Sequence, residues 1–175
     1  ALRSIDYIAD FKKFNIIVFA VKPQIAVTVL KKFTNLKYKK NVLFISIIAG
    51  KKISFYNNFL PTKSQVVRIM PNMPAILEQS MSCIYFNNKT SKSNKDKTAS
   101  LFKKVGKILI FKKEIYIDKA TAISGSGPGY FFLFISLLEN AAKKLGFSSK
   151  ISEELVLQTA LGSIVLLNKS SKNSN

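Results

Sequence analysis

The chain has 175 residues, of which 47% are hydrophobic, and its formal net charge is +19 without a single histidine. This length and apolar fraction are typical of a globular protein of one or two domains and exclude an intrinsically disordered chain. The absence of histidine excludes histidine-based catalytic triads and most zinc sites, and the nine acidic residues form no D-x-D cluster. We therefore expect no metal site and no catalytic side chain, so any catalysis would rely on a bound cofactor.

The first part of the chain alternates between predicted strands and helices. Continuous apolar runs predict buried strands at 16–21, 41–50 and 65–70. Apolar residues at helical spacing predict helices at 24–34 and 53–60 between these strands. Strands and helices that alternate with short links predict a parallel, right-handed α/β layer.

After a proline-rich turn the pattern predicts a strand at 81–86, a helix at 91–105 and a strand at 107–115. From residue 118 onwards the pattern is helical only, with helices at 128–145 and 151–168. The first of these two helices is apolar on every side, so other protein must cover it. We expect that cover to come from the α/β layer and from a second subunit.

The stretch SGSGPG, residues 124–129, lies before that apolar helix. One interpretation is a phosphate cradle of successive backbone N–H groups at a helix start. The other is the entry of a buried helix, capped by Ser126 or Gly127, with Pro128 in its first turn and Gly146 at its end. Because no buried strand precedes the stretch, the sequence favours the helix entry, with glycines that let two backbones approach closely.

The positive charge comes almost entirely from lysine, since only Arg3 and Arg68 are arginines. Arginine is the residue that binds phosphate and guanine through two hydrogen bonds at once. The preferred interpretation is therefore a lysine-rich solvated surface, and no nucleic-acid partner is expected. The lone Cys83 cannot form an internal disulfide, which suits the reducing cytoplasm. The longest apolar block, 130–138, is shorter than the roughly 20 residues of a membrane span, so no membrane partner is expected.

Five segments of the chain carry a family resemblance: AVKPQ (20–24), ISIIAG (45–50), VVRIMPNMPA (66–75), DKATAISGSGPGYFFLFI (118–135) and QTALGS (158–163). In order and spacing they resemble 1-pyrroline-5-carboxylate reductase, the enzyme of the last step of proline synthesis, across nearly the whole chain. The sequence departs from the family pattern at Ile48 and Gly129, where alanine is usual, and at Met73, where threonine is usual.

The resemblance implies an α/β fold in two parts. Residues 1–117 would form a partial NAD(P)-binding Rossmann domain, a parallel sheet with flanking helices, and residues 118–175 a partial all-helical dimerisation domain. The protein would be a homodimer or higher homo-oligomer through residues 118–175. The implied reaction is hydride transfer from NADP or NAD, in reduced form, to the C=N bond of 1-pyrroline-5-carboxylate, which gives L-proline. The residue that selects between the two cofactors in this fold would lie before Ala1.

The resemblance also assigns two groups of cofactor contacts: Ala20, Val21, Lys22 and Pro23, and then Ile47, Ile48 and Ala49. Both groups lie at the carboxyl ends of adjacent predicted parallel strands, where ligands bind in this architecture. Ordinary packing at the strand ends is the alternative interpretation.

On the substrate side, the resemblance puts Glu114 near the ring of the substrate. A carboxylate beside a cyclic imine would favour its protonated, more electrophilic form. The alternative for Glu114 is a surface ion pair with Lys112 or Lys113. Asn72, between two prolines, would support the floor of the cleft rather than take part in catalysis.

Two family motifs do not occur in these residues: the G-x-G-x-x-G fingerprint that holds a pyrophosphate and a distal Ser-Pro-Gly-Gly-Thr run. With alanine in place of an initiator methionine, their absence predicts a central fragment of a longer protein. Three hypotheses stay open: part of a working reductase, which is preferred, an inactive truncated remnant of one, or a basic nucleic-acid-binding protein.

Overall fold

The structure is a computed structural model that describes residues 10–170. Within this range the chain divides into two compact units between Ser126 and Gly127. We refer to the first as the sheet unit and to the second as the helical unit, and describe each by itself.

The sheet unit contains one five-stranded sheet in the described residues, with its strands in sequence order: β1 (Ile16–Phe19), β2 (Leu43–Ser46), β3 (Gln65–Met70), β4 (Ser80–Phe86) and β5 (Gly106–Ile110). β1, β2 and β3 are parallel to each other, and β4 and β5 are parallel to each other. The predicted α/β layer is therefore confirmed, and β3 has the same bounds as the predicted strand 65–70.

The junction between β3 and β4 departs from the expected parallel sheet, because these two strands are antiparallel. Their connection is short and is filled by the 3₁₀ helix Met73–Leu77, which ends at Glu78 with a φ of 59°. A parallel return would need a crossover of about a dozen residues or more. The tight turn after β3 therefore reverses the chain and sets the direction of the last two strands.

Four α-helices flank the sheet: α1 (Ala26–Lys31), α2 (Ile53–Tyr56), α3 (Lys92–Lys103) and α4 (Ile115–Ala120). The helices α1, α2 and α3 are shorter than the predicted helices 24–34, 53–60 and 91–105. The 3₁₀ turn Pro23–Ile25 precedes α1, and another 3₁₀ turn, Phe11–Lys13, precedes β1. At α3 the Ser91 side chain accepts a hydrogen bond from Asn94 N at 3.3 Å and so caps the start of this helix. β5 ends at Ile110 rather than at 115, because Glu114 is already the N-cap residue of α4.

Alternation along the strands divides the core between the two faces of the sheet. Phe19, Phe44 and Val66 face α1 and α2 in an aromatic-rich cluster. Their neighbours on the strands pack on the opposite face in an aliphatic cluster: Leu43, Ile45, Val67, Ile69 and Ile84. Successive strand residues point to opposite faces, so a sheet covered on both sides needs apolar residues in unbroken runs.

Gly106 begins β5 in a conformation that other residues rarely adopt, with a φ of 140°. A Cβ atom built on it would lie 2.2 Å from the Ser80 carbonyl oxygen and 2.4 Å from the Ser80 nitrogen. Ser80 is its partner in the β4–β5 register, and Ser80 N donates to Val105 O at 2.8 Å. The first pair of this ladder therefore depends on the absence of a side chain at 106.

The helical unit consists of two helices in the described residues, α5 (Gly127–Lys144) and α6 (Ser149–Ser170), which pack on each other. Gly146 ends α5 with a φ of 96°, and its N–H donates to Lys143 O at 3.0 Å. This confirms the predicted left-handed stop. Most large apolar side chains of the two helices are about half exposed or more in the single chain.

Counted as one helical run, Ile115–Lys144 is long and apolar enough to cross a membrane by length and composition alone, and little of it is buried. The uninterrupted apolar block 130–138, on which the prediction of no membrane partner rests, is only part of this longer apolar helix. Apolar surface of this kind also occurs on helices that a partner protein covers.

Candidate functional site

The carboxyl ends of β1 and β2 bring the two predicted cofactor segments side by side. Phe19 and Ser46 are register partners at the ends of these parallel strands, and Ile47 N continues the ladder by donating to Phe19 O at 3.1 Å. Segments 20–23 and 47–49 follow directly. Both therefore lie at one edge of the sheet, although their contact with a cofactor stays a prediction.

Within these segments the side chains differ in exposure. Ala20 and Lys22 are exposed, and Val21, Pro23, Ile47 and Ala49 are partly buried. Ile48 is 2% exposed and packs in the aromatic cluster of the core. Its N–H donates to Ser46 Oγ at 3.1 Å, so the backbone of this segment is held in place. A ligand at this edge would meet Ile48 through its backbone rather than its side chain.

A row of register partners crosses four strands just below this edge: Phe19, Ser46, Arg68 and Tyr85. Tyr56 of α2 stacks on Phe19 with ring centroids 5.9 Å apart, and its hydroxyl shares a short hydrogen bond with Ser46 Oγ. Burial raises the pKa of Tyr56 above its usual value, and the opposing effects of the hydrogen bond to Ser46 and of the Arg68 charge are smaller. The phenol therefore stays protonated as a neutral member of the row.

Arg68 lies in the middle of this row with a buried side chain that binds two carboxylates. Its Nη1 contacts Glu114 Oε1 at 3.3 Å, and its Nη2 contacts Asp118 Oδ1 at 2.6 Å. The exposed fractions of the side chains are 2% for Arg68, 22% for Glu114 and 35% for Asp118. A buried charge is strongly unfavourable without a partner, so the two carboxylates make the position of Arg68 tenable.

The structure gives Glu114 a partner that neither interpretation of the sequence named. Besides Arg68, its Oε1 accepts a hydrogen bond from Ile53 N, the first residue of α2, at 2.7 Å. The expected alternative, a surface pair with Lys112 or Lys113, is wrong, because the carboxylate points to the sheet rather than to these lysines. The substrate contact of Glu114 stays a prediction.

Asn72 joins three segments at the end of β3. Its N–H donates to Ser80 Oγ at 3.2 Å, its Oδ1 accepts from Met81 N at 3.0 Å, and its Nδ2 donates to Ser124 O at 3.0 Å. The side chain thus ties the turn after β3 to the start of β4 and to the glycine-rich stretch. These bonds give Asn72 a structural role, and its predicted place in the floor of a cleft stays a prediction.

The glycine-rich stretch is already helical before the predicted cap. Thr121–Gly125 form a π-helical turn, in which Ser126 N donates to Thr121 O at 2.9 Å, an i to i+5 bond. The interpretation of Ser126 or Gly127 as the cap of a new helix is wrong, because α4 already leads into this turn. A Cβ on Gly125 would lie 3.2 Å from Thr121 Cγ2 and 3.3 Å from Met70 Cε, so side chains rather than a second backbone pack closely on this glycine. Nothing lies within 4 Å of such an atom at Gly127 or Gly129.

Sequence reasoning missed Ser46, Tyr56 and Asp118, and it treated Arg68 only as one of two arginines. Asp118 and Arg68 stood inside the resemblance segments, but nothing in their spacing indicated that they meet. The available signal was a single arginine inside the apolar strand QVVRIM. A charge at a position that should be buried requires a partner of opposite charge, and the chain has only nine acidic residues to offer.

Comparisons with known proteins address the family directly. Residues 114–175 match the family model described as pyrroline-5-carboxylate reductase dimerisation. Pyrroline-5-carboxylate reductase of Pseudomonas aeruginosa is 38% identical over 148 residues, which cover 85% of this chain and 54% of that protein. Pyrroline-5-carboxylate reductase 2 of Bacillus subtilis is 32% identical over 162 residues, which cover 93% of this chain and 57% of that protein.

Solved structures agree over most of the chain. The Plasmodium falciparum reductase, solved with NADP bound, has a TM-score of 0.81 at 35% identity, over 90% of this chain and 59% of that one. The chain belongs to the pyrroline-5-carboxylate reductase family. The Coxiella burnetii member has the same TM-score at 30% identity, over 90% of this chain and 58% of that one. The chain therefore spans between half and three fifths of the length of these relatives.

Membership of the reductase family confirms the predicted fold class and the resemblance of the five segments. The helical unit lies entirely within the stretch matched by the dimerisation model. No cluster of three His, Cys, Asp or Glu residues suited to a metal ion occurs among residues 10–170. The Cys83 thiol is buried beside Ser124 Oγ, 3.8 Å away, and burial raises its pKa, so its thiolate form is disfavoured.

Proposed function

We propose that these residues belong to a pyrroline-5-carboxylate reductase, which transfers a hydride from NAD(P)H to the C=N bond of 1-pyrroline-5-carboxylate and forms L-proline. The observation that carries the proposal is the adjacency of segments 20–23 and 47–49 at one carboxyl edge of the sheet, in a chain of this family. Ligands of open α/β sheets bind at such an edge.

The residues at this edge fit a dinucleotide in part. Ala20, Pro23 and Ala49 carry small side chains that leave room for a ligand to lie against the backbone. Val21, Lys22, Ile47 and the backbone of Ile48 would complete the contacts. The sequence contains no G-x-G-x-x-G, so none of these residues is assigned to the pyrophosphate. We propose NADP as the cofactor, with NAD as the alternative.

When bound, the reduced nicotinamide would supply the hydride, and the task of the chain is to hold it and the imine in line. Glu114 is the described residue predicted to lie nearest the substrate. With no histidine in the chain, alignment rather than proton transfer by an imidazole is the contribution that these residues can make.

We also propose a homodimer or higher homo-oligomer that covers the helical unit. Its support is the description of the matched family model and the exposure of Tyr130, Phe131, Phe132 and Phe134 on α5. A biosynthetic enzyme with one buried, free thiol fits the cytoplasm, without a nucleic-acid or membrane partner. The two compact units meet between Ser126 and Gly127. We keep the predicted domain limits, 1–117 and 118–175, as a separate proposal.

The test uses the chain together with the flanking residues that its gene encodes. We expect NADPH oxidation that depends on 1-pyrroline-5-carboxylate, with proline as the product. Residues 1–175 alone should cause no appreciable change in NADPH fluorescence, because the pyrophosphate motif is not among them. A folded longer chain that oxidises no NADPH with this imine would overturn the proposal and favour the inactive remnant.

The cofactor edge can be tested separately. Ala20→Phe adds a ring at an exposed position beside the strand ends and should raise the Kd for NADPH by about tenfold or more, since one lost contact of 1.4 kcal/mol has this effect. Thr28→Phe adds the same ring on the exposed side of α1 and serves as the matched control. Equal affinity of the two variants would contradict the assignment of segment 20–23.

A further inference from the structure

We propose that Arg68 is a positioning residue of this enzyme, which fixes α4 and the start of α2 against the carboxyl edge of the sheet. The inference rests on the proposed function and adds a residue that acts through others. It also assigns to Glu114 a structural role that is distinct from a contact with substrate.

The first step is the level at which Arg68 lies. It is the register partner of Ser46, the last residue of β2, and the predicted cofactor segment 47–49 begins one residue later. Ser46 Oγ holds the backbone of that segment through Ile48 N and also binds the Tyr56 hydroxyl. The guanidinium of Arg68 is therefore in the row that directly supports the edge.

The second step is what the two nitrogens of Arg68 hold. Glu114 and Asp118 stand four residues apart at the start of α4, a spacing that puts both carboxylates on one side of a helix. Nη1 contacts the first carboxylate and Nη2 the second, so the planar fork fixes both the height and the rotation of α4. A lysine is a single point charge on a flexible stem and cannot fix both.

The third step links α4 to α2. The oxygen of Glu114 that contacts Arg68 also accepts the N–H of Ile53, where α2 begins. One guanidinium thus sets the positions of β3, α4 and α2 relative to each other. α4 continues into the π turn that binds Asn72, so a shift of α4 would move the glycine-rich stretch as well.

If the Arg68 guanidinium is removed, we expect the cofactor and the imine to lose their alignment. A misplacement of about 1 Å can lower a rate by about 10²-fold. In the full-length protein, Arg68→Lys should lower kcat by at least about tenfold at saturating cofactor, while the Kd for NADPH changes by less than about threefold. Circular dichroism should show the same folded content as in the unaltered protein.

Asp118→Asn keeps the test decisive if Arg68→Lys fails to fold, because Asp118 is partly exposed and the change conserves its size. It should lower kcat in the same direction. Asp96→Asn is the matched control, since it makes the same chemical change at an exposed site on α3 and should leave kcat unaltered. Folded Arg68→Lys or Asp118→Asn protein with the kcat of the control would overturn the inference.

Glu114→Gln separates positioning from substrate contact. Glutamine keeps an oxygen that accepts from Ile53 N but removes the charge that Arg68 binds, so a positioning role predicts a loss of kcat no larger than that of Arg68→Lys and an unchanged pH profile. A larger loss than in Arg68→Lys, or a changed pH profile, would show that the Glu114 charge acts on the substrate and would overturn the positioning role of Glu114.

Hydrogen exchange distinguishes failure of this inference from failure of the proposed function. Arg68→Lys should speed exchange of the Ile53 amide by about tenfold or more, since opening by 1.4 kcal/mol has this effect, while Asp96→Asn should not. If the unaltered protein reduced no imine but this amide responded, only the proposed function would fail. An Ile53 amide that exchanges equally in both variants would overturn the positioning role irrespective of activity.

Discussion

The sheet unit buries an apolar core on both faces of its sheet, whereas the helical unit leaves most of its large apolar side chains exposed in the single chain. Leu43, Ile45 and Val67 have almost no exposed surface, but Phe131, Leu161 and Leu166 are each more than half exposed. The two units differ because a sheet with helices on both faces buries apolar side chains between its layers, whereas two paired helices leave their outer faces uncovered. A match to a dimerisation model over the second unit fits this division.

The largest expected effect would come from charging the helical unit. Phe131→Asp combined with Phe134→Asp should raise the dissociation constant of the oligomer by about 10²-fold or more, because unpaired carboxylates at a buried interface are strongly unfavourable. Sedimentation velocity over a range of protein concentrations measures this. Asn140→Asp, which adds the same group at an exposed polar position of α5, is the control. An oligomer that survives both changes would place the interface elsewhere.

A matched pair of leucines would sharpen the contrast between the units. Leu43→Ala in β2 should lower the free energy of unfolding by about 2–5 kcal/mol, because the site is fully buried and leaves a cavity. Leu161→Ala in α6 should lower it by less than about 0.5 kcal/mol at concentrations where the protein is a monomer. Its effect should grow with protein concentration if a second subunit covers α6. Urea unfolding at two concentrations measures both, and equal costs for the monomer would contradict the comparison.

The smallest effect concerns alkaline pH and only the sheet unit. Burial raises the pKa of Tyr38 and Tyr56 in the folded chain above the ordinary value of 10.0. Above pH 10 the unfolded chain loses these protons while the folded chain keeps them, so the stability present below pH 10 falls as the pH rises. Tyr56→Phe retains the ring and should weaken this fall by removing one of the two groups. Thermal unfolding between pH 9 and 11 checks it, with Tyr130→Phe on exposed α5 as the control.

The bounds of secondary-structure elements were predicted well where the signals in the sequence are local. An unbroken apolar run bounded by polar residues located β3 to the residue, and the glycine after a lysine pair located the end of α5. The direction of β4 is not a local property. It depends on how many residues separate β4 from β3. The proline-rich turn between them is too short for the crossover connection that a parallel β4 would need.

The candidate site was harder to predict because its contacts join distant parts of the chain. Arg68 meets partners that lie 46 and 50 positions later, and spacing in the sequence does not indicate such pairs. Each carboxylate had a local alternative, such as a neighbouring lysine. The π turn was missed for a similar reason, since its glycines and serines are equally typical of a helix start. The cofactor contacts of segments 20–23 and 47–49 stay predictions.

The backbone at position 106 has a consequence for variation in this gene. With the Ser80 carbonyl 2.2 Å from where a methyl group would be, even the smallest replacement requires the two strands to separate. A codon-randomised library selected for folded protein should therefore return glycine alone at this position. A single-residue change at this position therefore has no replacement that keeps the first pair of the β4–β5 ladder.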